Sequence, residues 1–457
     1  MNRYLWNVRY SMRGIVFSAI LLFLASTGAF ASSAITVPIE LTAGNTTIQH
    51  AAVSIDADLN CHALWIDDTG QLLTRGGPYG TFGATRVVKR NATHLVSDPA
   101  VAVLASGYAA LIWSARRPEY DWDWNLWFTF SPTSDPIQII GDTVNDRHPS
   151  ALARGDSLYI AWQRDGPPYR VAYGFATRAR PYPPIYFLES FSDSVSNVRL
   201  GGAIGPTVWV AWNVHAETGT EIWLAGLRRD VIHSAPVRLR AGWNDRNPHI
   251  AADPAGRPHV VWEDSGSIRY TYGVLDTAGR VVSFAPSTLI TASGGSHPSI
   301  AFMPNGVAHI SWFDTVEDAI VAVTLVGGNV VGPVTLVEPR YQPSLETMAS
   351  GLLATSAGAI IAPFVGVAPT NGAQGIWIAP YAEVSSNAFF ASFGAEVDAT
   401  GAVRLTWSTE AQTVARYRIV RMQRDAEPVF IDLATVGGAG TEFAVIDHPG
   451  AGGSYQY

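Results

Sequence analysis

Seven polar residues recur along this chain, each just ahead of a short apolar run: His50, Asp98, His148, Asn197, Asn247, His297 and Gln342. Five of them precede proline. A ring of imidazoles, carboxylates and amides can bind the hydroxyls of a ligand. It can equally satisfy backbone groups at strand ends. A metal on His50, His148 and His297 is not expected, because ligand distances of about 2 Å are hard to meet from points spread around a wide ring. A second group is the aromatic run Tyr120, Trp122, Trp124 and Trp127 within PEYDWDWNLW. Aromatic faces beside Asp121 and Asp123 suit a sugar, whose C–H face stacks while its hydroxyls bond the acids. Alternating Trp122, Trp124 and Leu126 also fit one buried strand face. Acids follow several regularly spaced tryptophans: Asp67, Asp68, Asp165, Glu263, Asp264 and Asp314, with Arg116, Arg164, His215 and Glu217 expected on the same face. A carboxylate pair among them could do acid–base or glycosidic chemistry, and aspartate is also an ordinary turn residue. Asp98, Tyr120, Trp122, Trp124 and His148 are the expected ligand-binding residues. His50, Asn197, Asn247, His297 and Gln342 complete the expected ring. No catalytic residue, metal or cofactor is assigned.

The elements that must position these residues follow from a beat in the sequence. Trp65, Trp113, Trp162, Trp212, Trp262 and Trp312 are separated by 48, 49, 50, 50 and 50 residues, and Phe364 comes 52 later. Each ends a β-like run such as HALW, YIAW or HVVW. A strand-rich period near 50 predicts an all-β propeller of about four strands per blade. The polar residues start the innermost strands, so they ring one mouth of the central channel. The loop carrying Tyr120 and Trp122 joins a second to a third strand and lies on the same face. Blade seven lacks a convincing fourth strand, while Ile35–Leu41 (ITVPIEL) stands alone before blade one. Pairing the two removes two open edges and predicts seven blades closed by an N-terminal strand, over residues 32–382.

The ends read differently. Residues 1–31 resemble a secretory signal peptide, with Arg3, Arg9 and Arg13, an apolar stretch and Ala29-Phe30-Ala31 before Ser32. The chain is therefore expected to be exported, secreted or periplasmic, with no membrane span after cleavage. A net charge of −8 and a single lysine, Lys89, argue against a nucleic-acid partner. The lone Cys61 lies in a strand pattern and is expected to be buried and inert. Residues 382–388 read as a linker.

The unit "polar-Pro-x-Ile/Val-Ala … Gly-x-x-His-Val-x-Trp" resembles the sialidase-like, BNR-type propeller repeats of bacterial exported proteins, over about residues 35–382. The hydrolases of that family use an arginine triad, a tyrosine nucleophile and an aspartate acid on six blades. This chain lacks an Arg-Ile-Pro near its start, has no Asp-box and counts seven blades, so no catalytic residue carries over. Residues 389–457, with VRLTWSTE, YRIVRM and EFAVID, resemble a partial fibronectin-type-III-like β-sandwich. The expected role is recognition of a carbohydrate or surface-protein ligand on one propeller face. The alternatives are a glycan-active enzyme, either hydrolase or lyase, and a structural spacer in a longer surface protein.

Overall fold

A computed structural model describes residues 38–381, apart from 43–46, 57, 90–92, 121–122, 203–206, 218, 243, 327–328, 355–359 and 370, together with the backbones of six strands between 390 and 456. The expected signal segment, Asp121 and Trp122 lie outside the described residues.

Antiparallel meanders of about 50 residues build the blades. In blade three, strands Asn145–Arg154, Ser157–Asp165, Tyr169–Thr177 and Ile185–Phe191 pair in chain order from the channel outward. Blades one to six follow this plan, with the outer edge of blade five split into two short strands, Val281–Phe284 and Thr288–Thr291, that both pair with its third strand. The turns between first and second strands need a left-handed residue, and glycine supplies it: Gly256 (φ 82°) and Gly306 (φ 84°) each return an N–H three residues back along the chain. Blade seven is completed from the other end of the chain. Ile39–Glu40 pairs antiparallel with Gln374–Tyr381, Ile39 opposite Ile378. The expected seven blades and N-terminal closure are both present.

The repeat aromatics explain why the ring holds. Trp65, Trp113, Trp162, Trp212, Trp262, Trp312 and Phe364 are all buried. Each packs into an apolar cluster shared with the preceding blade; Trp162 of blade three, for example, sits with Ile112, Leu126 and Phe128 of blade two. Seven such clusters fill the seven blade interfaces. The core is thus a set of wedges between sheets, not one central mass. Cys61 is buried among them, and burial pushes its thiol up to about 12, which leaves it inert as expected.

Blade seven departs from the expectation built on Gln342. Its inner strand is only Leu353–Ala354, and Gln342 sits in a left-handed conformation at the end of a 3-10 turn, Pro339–Tyr341. The segment between them is stitched to its neighbours: Ala51 N–H donates to Thr347 O (2.8 Å), and Leu352 N–H donates to Ser299 Oγ (2.6 Å). Gln342 therefore does not begin a channel strand.

The strands after residue 389 form two three-stranded antiparallel sheets. One orders Phe390–Val397, Val403–Thr409 and Glu442–Asp447; the other orders Val429–Asp432, Arg418–Gln423 and Tyr455–Gln456.

Candidate functional site at the channel mouth

The ring residues share a backbone state that the sequence pattern did not announce. Asp98, His148, Asn197, Asn247 and His297 all have φ between 49° and 51°. Each sits at a register shift of its inner strand, such as that between Arg147 and Ser150. A β-bulge with a left-handed residue favours Asn, Asp and His, whose short polar side chains tolerate that conformation. Much of the polarity of the ring is therefore a backbone requirement. Asn197→Val is expected to be less stable than Asn197→Gly by about 1–2 kcal/mol, the usual penalty for a left-handed bulky residue; both lose the amide, so chemical denaturation of the pair isolates the backbone effect.

At blades two and three the ring becomes a polar cluster. His148 Nδ1 lies 3.0 Å from Asp98 Oδ1, and Arg147 Nε donates to Asp98 Oδ2 at 3.3 Å. Asp98 is buried, which alone would raise its pKa, yet the His148 hydrogen bond and the charges around it hold the carboxyl well below the usual range. It is an anion and a fixed acceptor. Its contact requires a proton on His148 Nδ1, and Nε2 of this partly exposed ring is left for a ligand. His50 faces the same group: burial lowers its pKa, while Asp98 opposes.

The aromatic run is only partly what the sequence suggested. Tyr120 is exposed and its carbonyl accepts from Arg116 Nη1 at 3.0 Å. Trp124 is half-buried and carries two guanidiniums over its ring, Arg147 at 4.8 Å and Arg116 at 5.2 Å. Its indole is thus taken up in cation–π contacts that position Arg147 over the mouth. The backbone N–H of Trp124 donates to Asn145 Oδ1 at 3.2 Å. Trp127 lies on the third strand, edge-on to His94. The structure therefore brings Asp98, His148, Trp124 and Arg147 together, with His50 close by. Asn197 and Asn247 turn to their own blades, donating to Asn213 Oδ1 (3.1 Å) and Glu263 Oε2 (3.2 Å).

The acids after the repeat tryptophans serve local structure. Asp67 Oδ1 accepts from Thr69 N–H and Gln71 N–H, and Asp314 Oδ1 from Val316 N–H. Glu263 pairs with Arg246, and Asp264 with Arg240 and Arg269. Burial raises the pKa of two carboxylates, Asp146 to about 7 and Asp245 above its ordinary value. Both are fully buried and accept the indole N–H of Trp162 (2.6 Å) and Trp262 (3.0 Å). They brace blade interfaces and face no ligand. Among the described residues, no three His, Cys, Asp or Glu side chains are placed to hold a metal, and no helix is long and apolar enough to cross a membrane.

No protein-family model matches the chain, and no curated protein sequence matches it. Solved structures similar to it include a protein of unknown function from Dyadobacter fermentans, with 11% identity over 64% of this chain and 96% of that one, at a TM-score of 0.45. They also include an alpha-L-arabinanase of Penicillium chrysogenum (12% identity, 62% and 92% covered, TM-score 0.41). A sialidase of Trypanosoma rangeli is similar at 10% identity over 77% of this chain and 60% of that one, TM-score 0.38. At such identities no residue's role transfers.

Proposed function

We propose that this is an exported binding protein that takes a carbohydrate at the propeller mouth beside blades two and three. The supporting observation is the cluster itself: an ionised acceptor, Asp98, holds His148 and Arg147 at an open rim, and Trp124 holds Arg147 from the other side. Fixed donors and acceptors of this kind suit hydroxyl recognition, and Tyr120 offers an exposed ring for a sugar face. Residues 1–31 are read as the export signal. The C-terminal unit is read as a fibronectin-type-III-like module, supported by its order of first, second and fifth strands in one sheet and fourth, third and sixth in the other. The test is a glycan array with the whole chain and with Tyr120→Ala, His148→Ala and Trp124→Ala. Each variant is expected to weaken binding by about tenfold or more, the scale of a lost charge-assisted bond or stacking contact. Binding that is equal in all three variants overturns the mouth as the site.

One observation favours a second reading, a glycan-active enzyme. Asp98 orients His148 as a carboxylate orients a general base, with Nε2 outward. Glycan cleavage by the whole chain that stops in His148→Gln, while glycan binding persists, would select this reading.

A further inference from the structure

The central channel holds a cavity of about 520 Å³ lined by the inner strands. Two positions beyond each ring residue comes a layer of side chains at one level: Ala52, Ala100, Ser150, Arg199, His249 and Ser299. Four are small. Arg199 and His249 stand out, and they lie on adjacent blades, four and five.

Arg199 has no hydrogen-bond or ion-pair partner among the described residues. It lies deep enough for burial to lower its pKa, and it borders both this cavity and a smaller one lined by Asn197, Asn247 and His297. Two acids act on His297 from that side, Glu263 and Glu346; Glu263 is already held by Arg246 at 2.7 Å and by Asn247, and neither pairs with Arg199. His249 is neutral: burial, and after it the charge of Arg199, pushes it down to about 3. Its Nδ1 accepts the N–H of Ile300 at 3.3 Å, so its proton is on Nε2. That nitrogen has only a loose contact, 3.5 Å, with Ser299 Oγ. Gly351 keeps the space beside it clear, since a Cβ there would come within 2.6 Å of Nε2.

A guanidinium kept without a counter-ion inside a walled cavity is unfavourable in the empty protein. Its planar fork matches a carboxylate bidentately. One cation, with the other basic side chain of the lining, His249, neutral, calls for a monoanion. The alanines and valines of the lining call for an apolar body, and the volume falls within the usual span for small-molecule sites, about 300–1,000 Å³. We propose that the channel is a binding site for a small organic carboxylate, its oxygens on the Arg199 fork and the His249 N–H, its body along Ala52, Ala100 and Ala251. This site is separate from the mouth cluster and stands whether or not a glycan binds there.

The test measures calorimetric binding and thermal shift on the whole chain with butyrate and benzoate, with butyramide and benzamide as uncharged controls, and with trigalacturonate as a carboxylate carried on a longer chain. The acids are expected to bind and raise the melting temperature, and the amides to do neither. Arg199→Met is expected to weaken binding at least about tenfold, as for a lost charge-assisted hydrogen bond. Without ligand it should melt no lower than the wild type, because an unpaired charge is gone. Arg199→Lys keeps the charge without the fork and should fall between the two. Binding of butyrate or benzoate points to free acids; a trigalacturonate response that Arg199→Met abolishes points to an acid group delivered through the mouth, and one that Arg199→Met leaves unchanged belongs to the mouth and counts against the channel site. Either of the first two supports the site. It is overturned if no probe binds at concentrations up to about 10 mM, where even weak sites fill. It is also overturned if the amides bind equally well, or if Arg199→Met and Arg199→Lys bind as tightly as the wild type.

Discussion

Leu41→Ala is expected to destabilise the propeller by roughly 2–5 kcal/mol, the range for an emptied leucine site in a packed core. Among the described residues only Ile39–Glu40 forms the closing ladder, so the residue just beyond it carries much of the closure. Leu41 is fully buried between blades seven and one, with Trp65, Ile376 and Ile378. Its N–H donates to Ile376 O at 2.7 Å, and its carbonyl accepts from Arg75 Nη1 at 3.0 Å. Thr42 Oγ1 accepts the next N–H, that of Ile376, at 3.0 Å. Leu41→Met, which conserves volume, should lose less than about 1.5 kcal/mol. Urea unfolding of both variants checks this. If the alanine variant matches the wild type, closure does not rest on this residue.

The second large effect is a loss of stability in acid that belongs to His309. This residue is almost fully buried, with Thr324 Oγ1 at 3.3 Å and Met303 Sδ at 3.4 Å. Burial pushes it down to about 4. The unfolded chain protonates a histidine near 6.5, so as pH falls below that value the unfolded state gains a proton that the folded state refuses. Its contribution is complete above about pH 6.5 and disappears as pH falls toward 4. At about 1.4 kcal/mol per pH unit, the full loss is roughly 3 kcal/mol. Asp146 works the other way: its raised pKa means stability is gained as pH falls from about 7. The measurement is therefore a difference. Unfolding free energies of wild type and His309→Gln, taken from pH 7 to 4, should converge by about that amount. Parallel curves would show that His309 takes up no proton differentially.

Much of the scaffold was legible because it repeats. The aromatic beat marks a residue that wedges one blade against the last, and packing of that kind tolerates little else at the position. Closure was legible from an imbalance, a blade without its fourth strand and a strand without a blade. The ring was legible as polarity but not as geometry, since Asp98 or Asn247 looks the same whether it faces a ligand or occupies a bulge. Trp124 shows the same gap: the sequence places an aromatic in a loop and says nothing of the two arginines over its ring. Arg199 and His249 left a signal that went unused. Aligned by blade, they are the two large titratable side chains in a layer of alanines and serines. Only the start of blade seven was misplaced, because its inner strand shrinks to two residues and its pairing comes from neighbouring blades.

The left-handed bulge has one more consequence. Blades two to six each set the height of their own rim residue through a local backbone rule, left-handed residue and then, usually, proline. Duplicating or exchanging a blade would keep that residue level with the others. Swapping asparagine, aspartate and histidine among these positions would recolour the charge of the rim while leaving its outline unchanged. The protein thus keeps shape and chemistry under separate control, so that new specificities at the rim can be tried one letter at a time.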